Sequence, residues 1–169
     1  MLLETIAVYW ESKVKGYGIS HVSNLSMVRL VFPVTATEEL GKALIPLEDT
    51  VQRFELVTQD YIDSTLSQMT LFYNRAKEGK AEKALRKWGD EMEITIALTS
   101  PLELIYLHGP HFQERFGIVN IAFSALKDAN IKIITAGCAG TTVYIAMPEK
   151  QGLSATRILQ ETFIIPTTN

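Results

Sequence analysis

The chain of 169 residues has a single cysteine, Cys138. No intrachain disulfide can form, which fits a reducing compartment. No apolar run approaches the roughly 18 residues that span a bilayer. Met1 to Thr5 lacks the basic start and small-residue cleavage site of a secretory signal. A cytoplasmic protein without membrane contact is expected. A basic excess is also missing: 16 Lys and Arg face 19 Asp and Glu, for a net charge of -3. That leaves no global field to hold nucleic acid. The local cluster Lys77, Lys80, Lys83, Arg86 and Lys87 has Glu78, Glu82 and Asp90 among it. It reads as a solvated helix face.

Catalytic signatures are absent as well. No GxxxxGK[ST] phosphate loop occurs. Glu11, Glu48, Asp49, Asp60 and Asp63 form no readable acid–base pair. His108 and His111 stand three apart without an acid or thiol beside them, so no metal site is expected. Cys138 sits in a glycine-rich stretch with no base nearby, so no nucleophile is expected. No catalytic residue and no cofactor is expected.

What the chain does contain is repetition. Met27-Val-Arg-Leu-Val-Phe opens one unit and Leu104-Ile-Tyr-Leu-His-Gly opens another. Before them, residues 2–14 carry a helical stripe (Leu3, Ile6, Ala7, Trp10, Val14) that would also serve in part as a strand. Helix is the preferred reading. In the first unit the pattern predicts a short strand at 18–22 and a stronger one at 27–33. Thr35-Ala-Thr-Glu38 has capping-box spacing, and Leu40, Ala43, Leu44 and Leu47 follow at helical spacing. Pro46 should end or kink that helix early. Strands are expected at 54–59 and 67–73. A helix then buries Ala81, Ala84, Leu85 and Trp88 and stops at Gly89.

The second unit repeats the order. Strands are expected at 93–98 and 103–108 with Ser100-Pro101 as the turn between them. A loop at 109–116 follows. Gly117 opens a helix burying Ile118, Ile121, Ala122, Ala125 and Leu126, with Asn130 as its left-handed cap. Strands at 131–135 and 142–147 flank a turn at Gly137-Cys-Ala-Gly140. A last helix buries Leu153, Ile158, Leu159 and Phe163, and Ile164-Ile165 closes as a strand. The fold class is therefore α+β: two ferredoxin-like βαββαβ units, each with an antiparallel sheet and its helices on one face. The expected division is an extension at 1–16, a first unit at 17–92 and a second at 93–169, with leading strands open to exchange between units. Each unit of about 70 residues has a marginal core alone. Tight association of units or chains, through sheet edges or helix faces, is expected.

The run Gly109-Pro-His-Phe, Gly117-Ile-Val, Ala122-Phe-Ser-Ala-Leu126 and Asn130-Ile-Lys-Ile133, with Thr135, resembles the ACT domains at the regulatory end of aspartate kinases. Gly18-Ile-Ser, Val28-Arg-Leu-Val-Phe and Phe54-Glu-Leu-Val-Thr-Gln59 resemble the other copy of that pair. Glu38 departs from that family's helix-opening glycine, Arg53 from its asparagine, and Lys132 from a small or polar residue. The resemblance implies a regulatory, non-catalytic module that binds a small effector, an amino acid, at interfaces between units. It implies a homodimer and a kinase partner, and either a free-standing regulatory chain or the regulatory part of a larger protein. A degenerate copy that only dimerises or binds a partner is the alternative.

Carried over, the second site uses Gly109, Pro110, His111, Phe112, Gln113, Arg115, Gly117 and Ile118, with Asn130 and Ile131 opposite. The first uses Val34, Thr35, Glu38 and Gln59. A carboxylate suits a helix start, where unpaired N–H groups and the positive dipole end converge. Thr35 and Glu38 should close the first start as a capping box. Phe116 precedes Gly117 and offers no cap, so the second start is expected to be the anion acceptor. Gly109 and Gly117 also suit nothing more than a tight turn and close packing, and Gln59 a cross-sheet bond.

Overall fold

The computed structural model describes residues 13–92, 94–109, 112 and 117–165. The elements run β1 (Gly18–Pro33), α1 (Thr37–Val51), β2 (Leu56–Tyr61), β3 (Leu66–Asn74) and α2 (Glu78–Met92). They continue with β4 (Thr95–His108), α3 (Ile118–Asp128), β5 (Thr135–Ala139), β6 (Thr142–Pro148) and α4 (Gly152–Thr162). One antiparallel sheet has the order β2-β3-β1-β4-β6-β5.

Two long central strands organise the sheet. β1 pairs with β4 from Gly18↔His108 to Val31↔Thr95. Only its second half, Leu25–Pro33, also pairs with β3. Only the second half of β4, Leu102–His108, also pairs with β6. The first half of β4 is thus the fourth strand beside β1, β3 and β2. The first half of β1 is the fourth strand beside β4, β6 and β5. Each βαββαβ half borrows a strand from the leading strand of the other.

The register shifts between Val22 and Leu25 and again between Leu25 and Met27. The first shift places one extra residue on β1, where Asn24 has φ 58. The second places one on β4, at Ser100-Pro101. The expected turn there is instead an irregularity inside a continuous strand, since a β-bulge absorbs a residue without ending the pairing. Alternation therefore resets on both strands. Val28, Leu30 and Phe32 join the core under α1 and α2. Ile105 and Leu107 join the core under α3 and α4.

The opposite face, which no helix covers among the described residues, is also buried. Leu25, Met27, Phe72, Leu102, Leu104 and Ala146 form a third cluster flanked by Leu56, Tyr106, Ile134 and Tyr144. The Tyr106 hydroxyl donates to the Glu55 carbonyl at 2.6 Å. In a flat sheet those residues would stand about 25 Å apart, from three strand spacings and about six residues along the strand. The sheet therefore folds over at the bulges and closes its helix-free face on itself. The halves join through sheet edges, β1 against β4, and through this shared sheet face.

Several local expectations shift. α1 runs past Pro46 to Val51. A proline costs its own N–H and one carbonyl partner, and neighbouring packing by Leu40, Leu47 and Val51 carries the helix through. α2 likewise passes Gly89 to Met92. β5 extends through Ala139, moving the hairpin turn to Gly140, at φ 57. Residues 131–134 lie outside β5, and Ile164 makes only an isolated bridge, with Lys15. Ile121 and Leu153, expected inside, are 37% and 78% exposed. Asn130 does take the left-handed cap, at φ 56, with the Ile131 N–H bonded to the Leu126 carbonyl. Of the expected N-terminal helix, residues 2–12 lie outside the described residues. Val14 is buried among the second half's core.

Three outcomes follow from this packing. Phe72→Ala should cost about 3–5 kcal/mol, and denaturant unfolding followed by probes in each half should still give one transition, because the halves share strands. Gly117 caps α3 at φ 85 with open space beside it, so Gly117→Ala should cost about 1–2 kcal/mol from backbone strain alone. Tyr73 is fully buried and its hydroxyl has no partner among the described residues. Burial pushes this phenol up to about 12, with Glu78 and Glu82 adding to the shift. The folded state favours the protonated form, so this contribution is intact below about pH 10 and is lost as pH rises toward 12. Tyr73→Phe should lessen that alkaline loss and leave neutral-pH stability unchanged or raised, as measured by denaturation at pH 7 and pH 11.

Candidate functional site

In the second half the residues expected to hold a ligand separate into three groups. Gly109 and Phe112 belong to the core: a Cβ on Gly109 would lie 2.0 Å from the Phe112 ring. Phe112 is 5% exposed and sits 6.3 Å from Phe163, ring to ring. The close approach that Gly109 permits is to this ring. Ile118 is also core, 3% exposed. Pro110, His111, Gln113 and Arg115 lie outside the described residues. The remaining three, Gly117, Asn130 and Ile131, are accessible or half-buried and flank α3.

Gly117 is the N-cap of α3 and makes no side-chain cap. Among the described residues, a Cβ there would meet nothing within 4 Å. Asn130 and Ile131 lie past the other end of the helix. An 11-residue helix spans about 16 Å at 1.5 Å per residue, so one small ligand cannot touch both ends within one chain. Beside Asn130 and Ile131 a groove of about 600 Å³ follows the outer face of α3. Asn120, Ser124 and Lys127 line it with Phe123 and Ile133. It offers one ammonium, two amides and a hydroxyl over an apolar floor, a set suited to a small zwitterion or carboxylate.

In the first half the expected capping box does not form. A short 3₁₀ turn, Val34–Ala36, moves the helix start, so Ala36 is the N-cap and makes no side-chain bond. Glu38 is then one turn position too early for a capping box. It pairs with Lys42 at 2.6 Å on the exposed face. Thr37 bonds back to the Val34 carbonyl at 2.7 Å. Gln59 donates to Ser67 Oγ at 3.3 Å, across the β2–β3 pair. Both helix starts therefore lack a side-chain cap. The expected contrast between a closed first start and an open second one is not present in that form.

Sequence reasoning missed the acids at the other two helix starts. Ser26 on β1 donates to Glu78, the first residue of α2. That bond holds the Glu78 carboxyl below its usual range, with Ser100 and Arg75 adding to the effect. At α4 the polarity is exchanged. Glu103 on β4, 7% exposed, accepts from the Gly152 N–H at 2.6 Å and faces His21 Nε2 at 3.5 Å. An acid at a helix N-terminus complements the dipole from either side. The signal was available: Glu103 is a lone charge within the apolar run Leu102–Leu107.

His108 bonds Thr142 at 3.0 Å and stacks on Tyr106. Cys138 is exposed. Among the described residues no group of three or more His, Cys, Asp or Glu could hold a metal ion, and no helix is long and apolar enough to cross a membrane.

No family model matches the sequence, and no curated protein matches it. Solved structures do match by shape. The ligand-free regulatory subunit of aspartate kinase from Thermus thermophilus superposes with TM-score 0.72 at 14% identity, over 88% of this chain and 98% of that one. Aspartate kinase from Synechocystis gives TM-score 0.76 at 14% identity, over 94% of this chain and 29% of that chain. The Clostridium acetobutylicum enzyme gives 0.70 at 20% identity, over 92% and 37%. With the shared strands, the paired units and the four helices in place, the chain has the fold of the aspartate kinase regulatory region.

Proposed function

We propose that the chain is a regulatory module of the aspartate kinase type. It performs no chemistry itself and binds a small effector, an amino acid, where two copies meet. It acts on a kinase, either as a partner chain or as part of the same longer protein. The observation that carries this reading is the division of the α3 site. The open helix start at Gly117 and the groove residues Lys127 and Asn130 lie at opposite ends of one helix. In a two-fold pair, residue i meets j and j meets i. Two α3 helices side by side and antiparallel would bring the Gly117 end of one copy to the Asn130 end of the other. A carboxylate would then meet free N–H groups and the positive dipole end from one copy. Lys127, Asn130 and Ser124 of the other copy would complete the site. The exposure of Ile121 on the same helix and the edge position of β5 support such a pairing.

The first half offers a second surface for self-association. β2 is the other sheet edge; Val57 and Tyr61 on it and Ile62 just past it are 46%, 74% and 52% exposed. An effector that binds the assembled state more tightly shifts the population by its differential affinity and no more.

A thermal-shift screen over aspartate-family amino acids tests the reading, because a ligand specific to the folded state raises its stability. One amino acid should raise the melting temperature and increase the dimer fraction in sedimentation. Lys127→Ala should weaken its binding by about tenfold or more, the scale of a lost charged hydrogen bond. No shift and no calorimetric heat with any of them would leave a purely structural dimer in its place.

A further inference from the structure

β1 carries a cation into the sheet face that closes on itself. Arg29 lies on that face with Met27, because Val28 and Leu30 point to the helices. It is half-buried, and its Nε is shut off from solvent with no hydrogen-bond partner among the described residues. Its guanidinium forms no ion pair among them either, whereas the exposed Arg53 and Arg86 pair with Glu55 and Glu82. The cross-strand partners of Arg29 are Thr70 and Ala97, and the diagonal ones are Gln68, Phe72, Thr95 and Thr99. None of the six is acidic. Asp60 on β2 is exposed and two strands away, about 12 Å in a regular sheet. A partly desolvated charge without a countercharge is costly.

The internal repeat shows where this side chain is aimed. Ser26 and Glu103 hold matching places at the starts of α2 and α4. That register sets Leu25 on Leu102, Met27 on Leu104 and Arg29 on Tyr106, and the first two pairs share one core cluster. The partners of Arg29 and Tyr106 on the next strands, Thr70 and Tyr144, match as well. Tyr106 crosses the fold and bonds the Glu55 carbonyl. Arg29 holds the same place in the first half without the bond that its counterpart makes. Exposure also grows from row to row along this face. Met27 and Phe72 are closed off, Arg29 is half-buried beside Thr70, and in the following row Gln68 is half-buried and Asp60 exposed. Arg29 therefore stands where the closed face opens to solvent.

We propose that this opening binds a small carboxylate. The terminal nitrogens of Arg29 hold it, and the Thr70 hydroxyl and Gln68 amide beside them add neutral hydrogen bonds. A planar fork of N–H donors matches the two oxygens of a carboxylate. The ligand supplies the countercharge that the neighbouring strands do not. The site lies within one chain, and so does not depend on the pairing of α3 helices between copies.

The probe is sodium acetate, titrated into the full chain while backbone amides are followed by NMR, with sodium chloride as the ionic-strength control. Acetate should give saturable shifts centred on Arg29 and Thr70 that chloride does not reproduce. Arg29→Lys should weaken this binding about tenfold or more, the scale of a lost charge-assisted hydrogen bond, and Arg29→Met should abolish it. Without acetate, Arg29→Met should melt at or above the wild-type temperature, because it removes an unpaired charge from a half-buried place. Acetate should raise the melting temperature of the wild type and not of this variant. Lys127→Ala should leave the response at Arg29 intact. The proposal is overturned if Arg29→Met lowers the melting temperature, since the guanidinium then has a partner within the folded chain. It is also overturned if the acetate shifts survive in that variant or centre on Gly117 and Lys127. Tighter binding of inorganic phosphate at the same amides would assign the opening to phosphate and overturn the choice of carboxylate.

Discussion

The antiparallel pairing of β1 with β4 is the constraint on which the rest depends. Over its length from Gly18↔His108 to Val31↔Thr95, each strand serves both halves in turn. A βαββαβ unit of this size has little core to spare. Here neither unit has all four strands without the other. The two bulges make the sharing possible. In a strand of period two, a single extra residue moves every later side chain to the other face. Without the insertion near Asn24, Ile19 would point away from the helices it packs under. Without the one at Ser100-Pro101, Ile96 and Ile105 could not both face helices. The same bulges fold the sheet, bring Tyr106 to Glu55, and bury Phe72, Leu102 and Leu104 on a face that no described helix covers.

On this shared frame the halves keep the same electrostatic arrangement with different residues. Both α2 and α4 start against an acid. In α2 the acid, Glu78, belongs to the helix, and Ser26 on the strand donates to it. In α4 the acid, Glu103, belongs to the strand, and the helix contributes the bare N–H of Gly152. Gly152 has no room for a side chain, because a Cβ would lie 2.1 Å from His21 Nε2 and 2.8 Å from Glu103 Oε2. A repeat can therefore conserve a dipole–acid contact while none of its residues match. The hydrophobic spacing stays recognisable because burial constrains it. The polar residues are free to trade places across the contact.

This difference explains how much of the molecule was legible in the sequence. The apolar periods of α2, at Ala81, Leu85 and Trp88, and of β3 place those elements within a residue or a few. Asn130 announced its own backbone angle, because asparagine tolerates the left-handed region. Breakers misled where tertiary packing overrode them. Pro101 lies at a bulge, where a missing N–H costs no ladder bond. Gly89 continues a helix held down by Leu85 and Trp88. Helical spacing also could not say how far the buried stripe extends, so Ile121 and Leu153 were placed inside. The folding of the sheet left no local trace at all, since it joins residues 51 positions apart. Of the candidate site, residue identities at the ends of α3 were readable. That Phe112 turns inward against Phe163, and that a 3₁₀ turn displaces Thr35 and Glu38 from capping positions, were not.

The displaced capping box changes what distinguishes the two helix starts. If side-chain caps decided ligand access, α1 and α3 would be equivalent, since neither has one. Their backbones differ instead. At α1 the preceding 3₁₀ turn bonds the Thr37 N–H to the Val34 carbonyl, and thereby consumes one donor internally. At α3 the chain enters through Gly117 in the left-handed region, and among the described residues nothing lies within 4 Å of its Cβ position. An incoming carboxylate is opposed at α1 by Glu38 and Glu39 in the first turn, whereas the first turn of α3 has no acid. The preference for the second half thus rests on charge and backbone path rather than on a capping side chain. A site limited by those two factors still needs a cationic partner, and Lys127 in the last turn of the 11-residue helix is out of reach within one chain.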